Sequence, residues 1–229
     1  MTFSWFAFFR DAGSAASFEP AALDSIAGTV RHLPGLRQGL VMSRPRQETA
    51  HPFPDNEPPP ALVLQLQFDT IEALEAAIAA DSPLRHLADG RRTVTQQAML
   101  ARRYPVPDAV LRTPVGAPPC SYLVQYPGPA EDLNAWNGHY NRHHPPLMAK
   151  FPGVRAIEIY TRLDWVDGLG WAREDMMQRN KLLFDSPEAL SAGLLTPVLQ
   201  EMRADFNQFP PFTGGNVHYV LETRFASAR

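Results

Sequence analysis

Apolar runs and amphipathic stretches follow one another along the chain in an order that occurs twice. In the first half, the spacing of apolar positions predicts a strand over Phe3 to Arg10 and a helix over Ala21 to His32. A Pro-Gly turn leads to a second strand over Leu36 to Ser43, and a third strand follows a long irregular loop at Ala61 to Phe68. A second helix begins at Thr70, and a last strand covers Gln97 to Arg103. The second half reads in the same way. Its strands are Ser121 to Tyr126, Val154 to Arg162, Asn180 to Phe184 and Val217 to Phe225, with helices over Glu131 to His143 and from Ser186.

Three motifs keep this correspondence in register. FDTIEALEAAI (Phe68 to Ile78) returns as FDSPEALSAGL (Phe184 to Leu194), and LPGLR (Leu33 to Arg37) returns as FPGVR (Phe151 to Arg155). The aromatic opening Trp5 to Phe9 matches Tyr122 to Tyr126. Three matches in order imply an internal duplication. Asp69-Thr70 and Asp185-Ser186 supply side-chain oxygens for the free amides of a helix start, and Pro187 stands where a missing amide costs nothing. The expected fold class is α+β, with two fused ferredoxin-like β-α-β-β-α-β repeats packed sheet to sheet, so that each covers the apolar face the other leaves bare. The boundaries are 1–103 for the first repeat, 104–119 for a Pro-rich linker, and 120–229 for the second repeat. A further Pro-rich stretch, Arg44 to Pro60, is an insertion expected to serve as a flap.

Composition narrows the partners. The chain has 229 residues, 45% hydrophobic and 20% charged, which suits a folded core rather than disorder. A net charge of -3 without a basic run argues against nucleic acid or an anionic membrane as partner. One cysteine, Cys120, leaves no internal disulfide and fits a reducing compartment. The opening WFAFFRD reads as a strand rather than a leader or a membrane span, so a cytoplasmic location is expected, with a homodimer as an open assembly. There is no phosphate loop, dinucleotide fingerprint, nucleophile elbow or multi-cysteine metal signature.

The chemistry concentrates in NAWNGHYNRHHPPLMAKFPG (Asn134 to Gly153). On a helix, Trp136, Tyr140, His143 and Leu147 share a face, and His139 and His143 stand four apart. Pro145 and Pro146 are expected to end the regular helix, leaving His144 on irregular backbone at its terminus. There it either caps a carbonyl or faces a cavity as an acid or base near neutral pH. His139 and His143 form either a solvated helix face or half of a metal site, and the absence of an evident third ligand favours the former.

Through Trp136, Tyr140, His144, Pro146, Leu147, Pro152 and Gly153 the segment resembles the EthD-like family of the dimeric α+β barrel superfamily. That resemblance implies paired ferredoxin-like units with a pocket between sheet and helices. It also implies small aromatic or polyketide-like ligands, handled without metal or organic cofactor. Tyr140 departs from the family, where the second aromatic is usually tryptophan. The first half has His32 before Leu33 but no His-x-Pro, so its site is expected to be degenerate.

The expected activity is a cofactor-independent lyase or isomerase, of decarboxylase or cyclase type, working on a small aromatic molecule. His144, Tyr140, His139 and His143 are the acid-base candidates. Trp136, Asn141, Tyr122, His218, Arg44 and Arg46 are the substrate-binding candidates, with His51 beside the two arginines on the inserted loop. Asp164 to Trp171 could line a pocket mouth or form an anchored surface turn. The competing functions are a cofactor-free monooxygenase and a non-catalytic binding or accessory protein.

Overall fold

In the computed structural model the described residues are 1–11, 18–46, 58–115 and 117–226. Residues 47–57, which include His51 and most of the expected flap, lie outside them. The chain runs β1 (Thr2–Asp11), α1 (Pro20–Arg31), β2 (Leu36–Ser43), β3 (Leu62–Phe68), α2 (Ile71–Ala77), a 3-10 turn (Pro83–Leu87) and β4 (Arg92–Tyr104). It continues with β5 (Cys120–Tyr126), α3 (Leu133–Met148), β6 (Val154–Arg162), β7 (Ala172–Arg173), β8 (Gln178–Phe184), α4 (Pro187–Leu194), α5 (Val198–Phe206) and β9 (Val217–Phe225).

Eight strands close into an antiparallel barrel in the order β1-β3-β2-β9-β5-β8-β6-β4, with β4 returning to β1. The short β7 lies parallel to β4, outside this ring. The two halves are therefore joined at their edges, by β2 with β9 and β4 with β6, as well as across their inner faces. Edge pairing satisfies the backbone groups that an open sheet would leave exposed. Helices α1 and α2 cover the strands of the first half, and α3 to α5 those of the second, each over its own apolar cluster. A third cluster, with Phe6, Phe8, Met99, Tyr160 and Tyr219, fills the barrel. Among the described residues no helix is long and apolar enough to cross a membrane.

The repeated motifs belong together physically. Thr70 and Ser186 cap α2 and α4, accepting the amides of Ala73 and Ala189 at 3.2 Å. Asp69 and Asp185, expected to share in capping, instead pair with the arginines of the Pro-Gly turns. Arg37 meets Asp69 at 2.5 Å and Arg155 meets Asp185 at 2.7 Å. A one-residue serine or threonine reaches the first-turn amides, which frees the carboxylate beside it to hold the turn.

The 105–119 segment is more than a tether: Val106 packs on the second-half cluster and Asp108 accepts from Arg155 at 2.7 Å. The barrel interior also holds charge. Glu158 and Lys181, directly opposed on β6 and β8, lie 2.8 Å apart and 2% and 3% exposed.

Candidate active site

A cavity of about 130 Å³ lies between the second-half strands and α3 to α5. Tyr122, Val124, Tyr126, Asn180, Leu182 and His218 form its strand wall. His144, Met148, Leu199, Met202 and Phe206 form much of its helix wall, with Arg203 also at the lining. This wall is mostly apolar, so the few polar groups in it act at low dielectric.

Helix α3 differs from expectation. It continues through Pro145 and Pro146 to Met148, so His144 sits on regular helix rather than at a broken end. Proline's fixed φ is compatible with a helix. The carbonyls deprived of a partner belong to Asn141 and Arg142, which are half-buried and exposed, so water can satisfy them. The extra turn carries Met148 into the core and points the His144 face of the helix inward.

His144 is 4% exposed and lines the cavity. Its Nδ1 lies 2.7 Å from Oδ2 of Asp205 on α5, and the other oxygen of that carboxylate lies 3.2 Å from Nε2 of His139. Burial holds His144 below the ordinary imidazole range, with Asp205 partly opposing it. Burial would raise the Asp205 carboxyl, but hydrogen bonds from His144 and His139 more than reverse this and hold it below the usual range. At neutral pH the pair is thus a neutral imidazole beside a carboxylate.

The other expected residues separate into groups. Tyr140 is fully buried behind the wall, and its hydroxyl accepts from Asn180 Nδ2 at 2.7 Å. Burial raises the Tyr140 phenol well above its ordinary value and Tyr126 to about 12, so both stay protonated. Trp136 is also fully buried, stacked on Tyr140 with ring centres 5.0 Å apart, and supports the wall from outside. Tyr122 and His218 line the cavity and stack on each other at 5.6 Å.

His143 is exposed, with its ring 4.6 Å from that of His139, and does not reach the cavity. Asn141 bonds Tyr104 at 2.7 Å on the outer side of α3. Arg44 and Arg46 are not at this site. Arg44 donates to the Pro59 carbonyl and pairs with Asp11, and Arg46 donates its amide to Glu222. The Arg44 guanidinium lies 3.3 Å from the Asp11 carboxylate, and the largely exposed Arg46 guanidinium lies 3.8 Å from that of the buried Glu222. Among the described residues no group of three His, Cys, Asp or Glu side chains could hold a metal ion.

Asp164 to Trp171 does not reach this cavity: Asp164 and Trp165 line a separate, open pocket with Arg162, Arg173 and Glu174, while Leu169 and Trp171 pack on the first half. Trp171 packs on Trp5 and Phe9 at 5.9 and 5.7 Å, and Leu169 is buried in the same cluster. Gly168 presses so closely on the Ala79–Ala80 backbone that a Cβ would come within 2.5 Å of the Ala80 nitrogen.

The residues that sequence reasoning missed are Asp205 and Asn180. A signal existed for the first: Leu199, Met202, Phe206 and Phe209 make a helical apolar stripe, and Asp205 falls within it. An acid on such a stripe requires a buried partner.

No family model matches the chain, and no curated protein matches it in sequence. Solved structures do match in fold. An anthrone oxidase-like protein aligns at 14% identity and a TM-score of 0.62, over 99% of this chain and 93% of that one. A "putative monooxygenase" from Lactobacillus acidophilus NCFM aligns at 12% identity and 0.57, over 99% and 96%. Another so described, from Fusobacterium nucleatum, aligns at 7% and 0.60, over 99% and 94%. The fold they share with this chain is the dimeric α+β barrel, here closed within one polypeptide.

Proposed function

We propose that this chain is a cofactor-independent enzyme of the EthD-like kind, a lyase or isomerase that moves a proton on a small aromatic molecule. The second of two ferredoxin-like repeats carries the site, and the first, its equivalent space filled by Trp5, Phe9 and Trp171, is a structural partner. One observation carries the reading: a buried histidine, His144, lines an apolar cavity while its Nδ1 is held by Asp205. That arrangement leaves Nε2 as the ring nitrogen available to a ligand.

The cavity compares with the roughly 150 Å³ that accepts one benzene ring, which points to a single-ring substrate. A phenolic acid suits it. His144 takes the hydroxyl proton and returns it to the carboxyl-bearing ring carbon, forming a quinonoid dienone. The C–C bond then breaks, carbon dioxide leaves, and its bonding pair restores the aromatic phenolate, which takes a proton from solvent. The apolar wall disfavours the carboxylate that is lost. Tyr140 acts from behind, orienting Asn180 in the wall. Steady-state turnover of a panel of hydroxybenzoates by the wild-type protein and by His144→Ala tests the reading. Loss of at least about 100-fold in kcat is expected from removal of a general base, and unimpaired turnover removes His144 from the mechanism.

A second reading, cofactor-free oxygenation, is favoured by the names of the proteins that share the fold. It begins with the same deprotonation. Oxygen uptake in step with substrate loss would select it over the lyase reading.

A further inference from the structure

Helix α5 stands where the first half has only the 3-10 turn, and it brings one acid, Asp205, into contact with two histidines of α3. An ionised carboxylate offers hydrogen-bond acceptors only, so each ring nitrogen that faces it carries the hydrogen. His144 is therefore protonated at Nδ1 and His139 at Nε2. A neutral imidazole has a single N–H, so Nε2 of His144 is a bare acceptor. No amide could replace this carboxylate without loss, because its single oxygen cannot take both hydrogens at these two positions. Asn180 adds to the same polarity. It is 1% exposed, lines the cavity, has its Nδ2 committed to Tyr140, and its Oδ1 has no partner.

We infer that Asp205 is a positioning residue which, anchored by His139 through one oxygen, fixes the Nδ1–H tautomer of His144 through the other. The cavity thereby presents two acceptors, Nε2 of His144 and Oδ1 of Asn180, beside the Tyr122 hydroxyl, and selects ligands that bring those acceptors a hydrogen, a phenol over its methyl ether. This rests on the cavity being the ligand site but not on any turnover.

Two measurements test it on the full chain at neutral pH. The first is ¹⁵N NMR of the histidine side chains in the unliganded protein. A neutral His144 protonated at Nδ1 and a His139 protonated at Nε2 are expected, and an Nε2–H on His144 overturns the inference. The second is binding of phenol against anisole, which differ in the donor. Phenol should bind at least about tenfold more tightly, the scale of one unsatisfied buried acceptor. In Asp205→Leu the preference should fall by at least about threefold, as the tautomer is no longer held, with the part carried by Asn180 Oδ1 remaining.

Equal affinity for the two ligands in the wild type, or an undiminished preference in Asp205→Leu, refutes the inference. Should the leucine variant not fold, the isosteric Asp205→Asn decides. It must switch the tautomer of at least one of the two histidines, and two unchanged spectra refute the inference. A cavity that prefers phenol in this way yet transforms no aromatic compound leaves Asp205's role intact and ends the catalytic reading.

Discussion

Lys181→Met is the most demanding test of the barrel interior. Glu158 Oε1 accepts from Gln67 and Arg103, each at 2.9 Å, and Oε2 accepts from Tyr160 at 2.6 Å and from Lys181 at 2.8 Å. Lys181 also donates to Gln65 Oε1 at 2.7 Å, and Gln65 Nε2 donates to the Tyr160 hydroxyl at 2.8 Å, which closes a ring of four side chains. Burial would raise the Glu158 carboxyl, but Lys181 and the other donors hold it far below the ordinary range. Burial lowers Lys181, with Glu158 opposing.

Removing one partner of a buried pair costs about 3–5 kcal/mol, because the other charge is left uncompensated. With Lys181 gone, Glu158 keeps three donors, including the 58%-exposed guanidinium of Arg103, so the lower end, about 3 kcal/mol, applies. The double variant Lys181→Met/Glu158→Gln removes both charges and should lie within about 2 kcal/mol of wild type. The assay is equilibrium urea unfolding at pH 7 of the wild type, both single variants and the double. A single Lys181→Met cost below about 1 kcal/mol, or a double variant as poor as the sum of its parts, would show that the ring is not an obligate pair and refute the reasoning.

Two further outcomes follow from the two halves. Because His144 stays neutral when folded but takes a proton near its ordinary range when unfolded, stability should fall as pH drops from 7 through that range, by at most about 1.4 kcal/mol per pH unit from this group. Urea titrations at pH 7 and 5.5 should show a smaller loss in His144→Gln. Asp205, held low, adds its own loss only at still more acid pH. Trp171→Ala should destabilise the protein by about 2 kcal/mol, less than a fully buried tryptophan, since its ring is half-buried. Thermal unfolding measures this, and phenol binding in the second-half cavity should be unchanged.

Most of the barrel was legible because its signals are local. Period-2 strands, Pro-Gly turns and a serine or threonine before each second helix depend on neighbours in sequence. The α3 extension was not legible, because two prolines predict a stop unless water can reach the carbonyls they strand. Asp205 was missed because its partners lie 61 and 66 residues away, beyond any motif. Arg44 and Arg46 stand apart from the cavity for a complementary reason: arginines on a loop suggest a ligand, and the carboxylates of Asp11 and Glu222 that lie beside them are distant in sequence.

Strand register explains why the cavity wall of the second half carries polar groups at positions where the first half is apolar. Phe3 opposes Phe68 on β3, and Cys120 opposes Phe184 on β8, so the two ladders can be read position against position. Where the first half pairs Ala7 with Leu64 and Phe9 with Leu62, the second pairs Val124 with Asn180 and Tyr126 with Gln178. On the neighbouring strand, Ala7 opposes Gln96 and Val124 opposes His218. Gln96 is spent on the Trp5 indole and the Trp171 carbonyl, which closes the first half around its own tryptophans. Asn180, by contrast, bonds Tyr140 of the histidine-bearing helix and stands in the cavity wall with His218. The proposed site thus differs from the matching strand positions of the first half by a few polar side chains, with an acid added by α5. Restoring the apolar pattern with Asn180→Leu should tighten the packing of that wall and weaken phenol binding together, because the same side chain serves both.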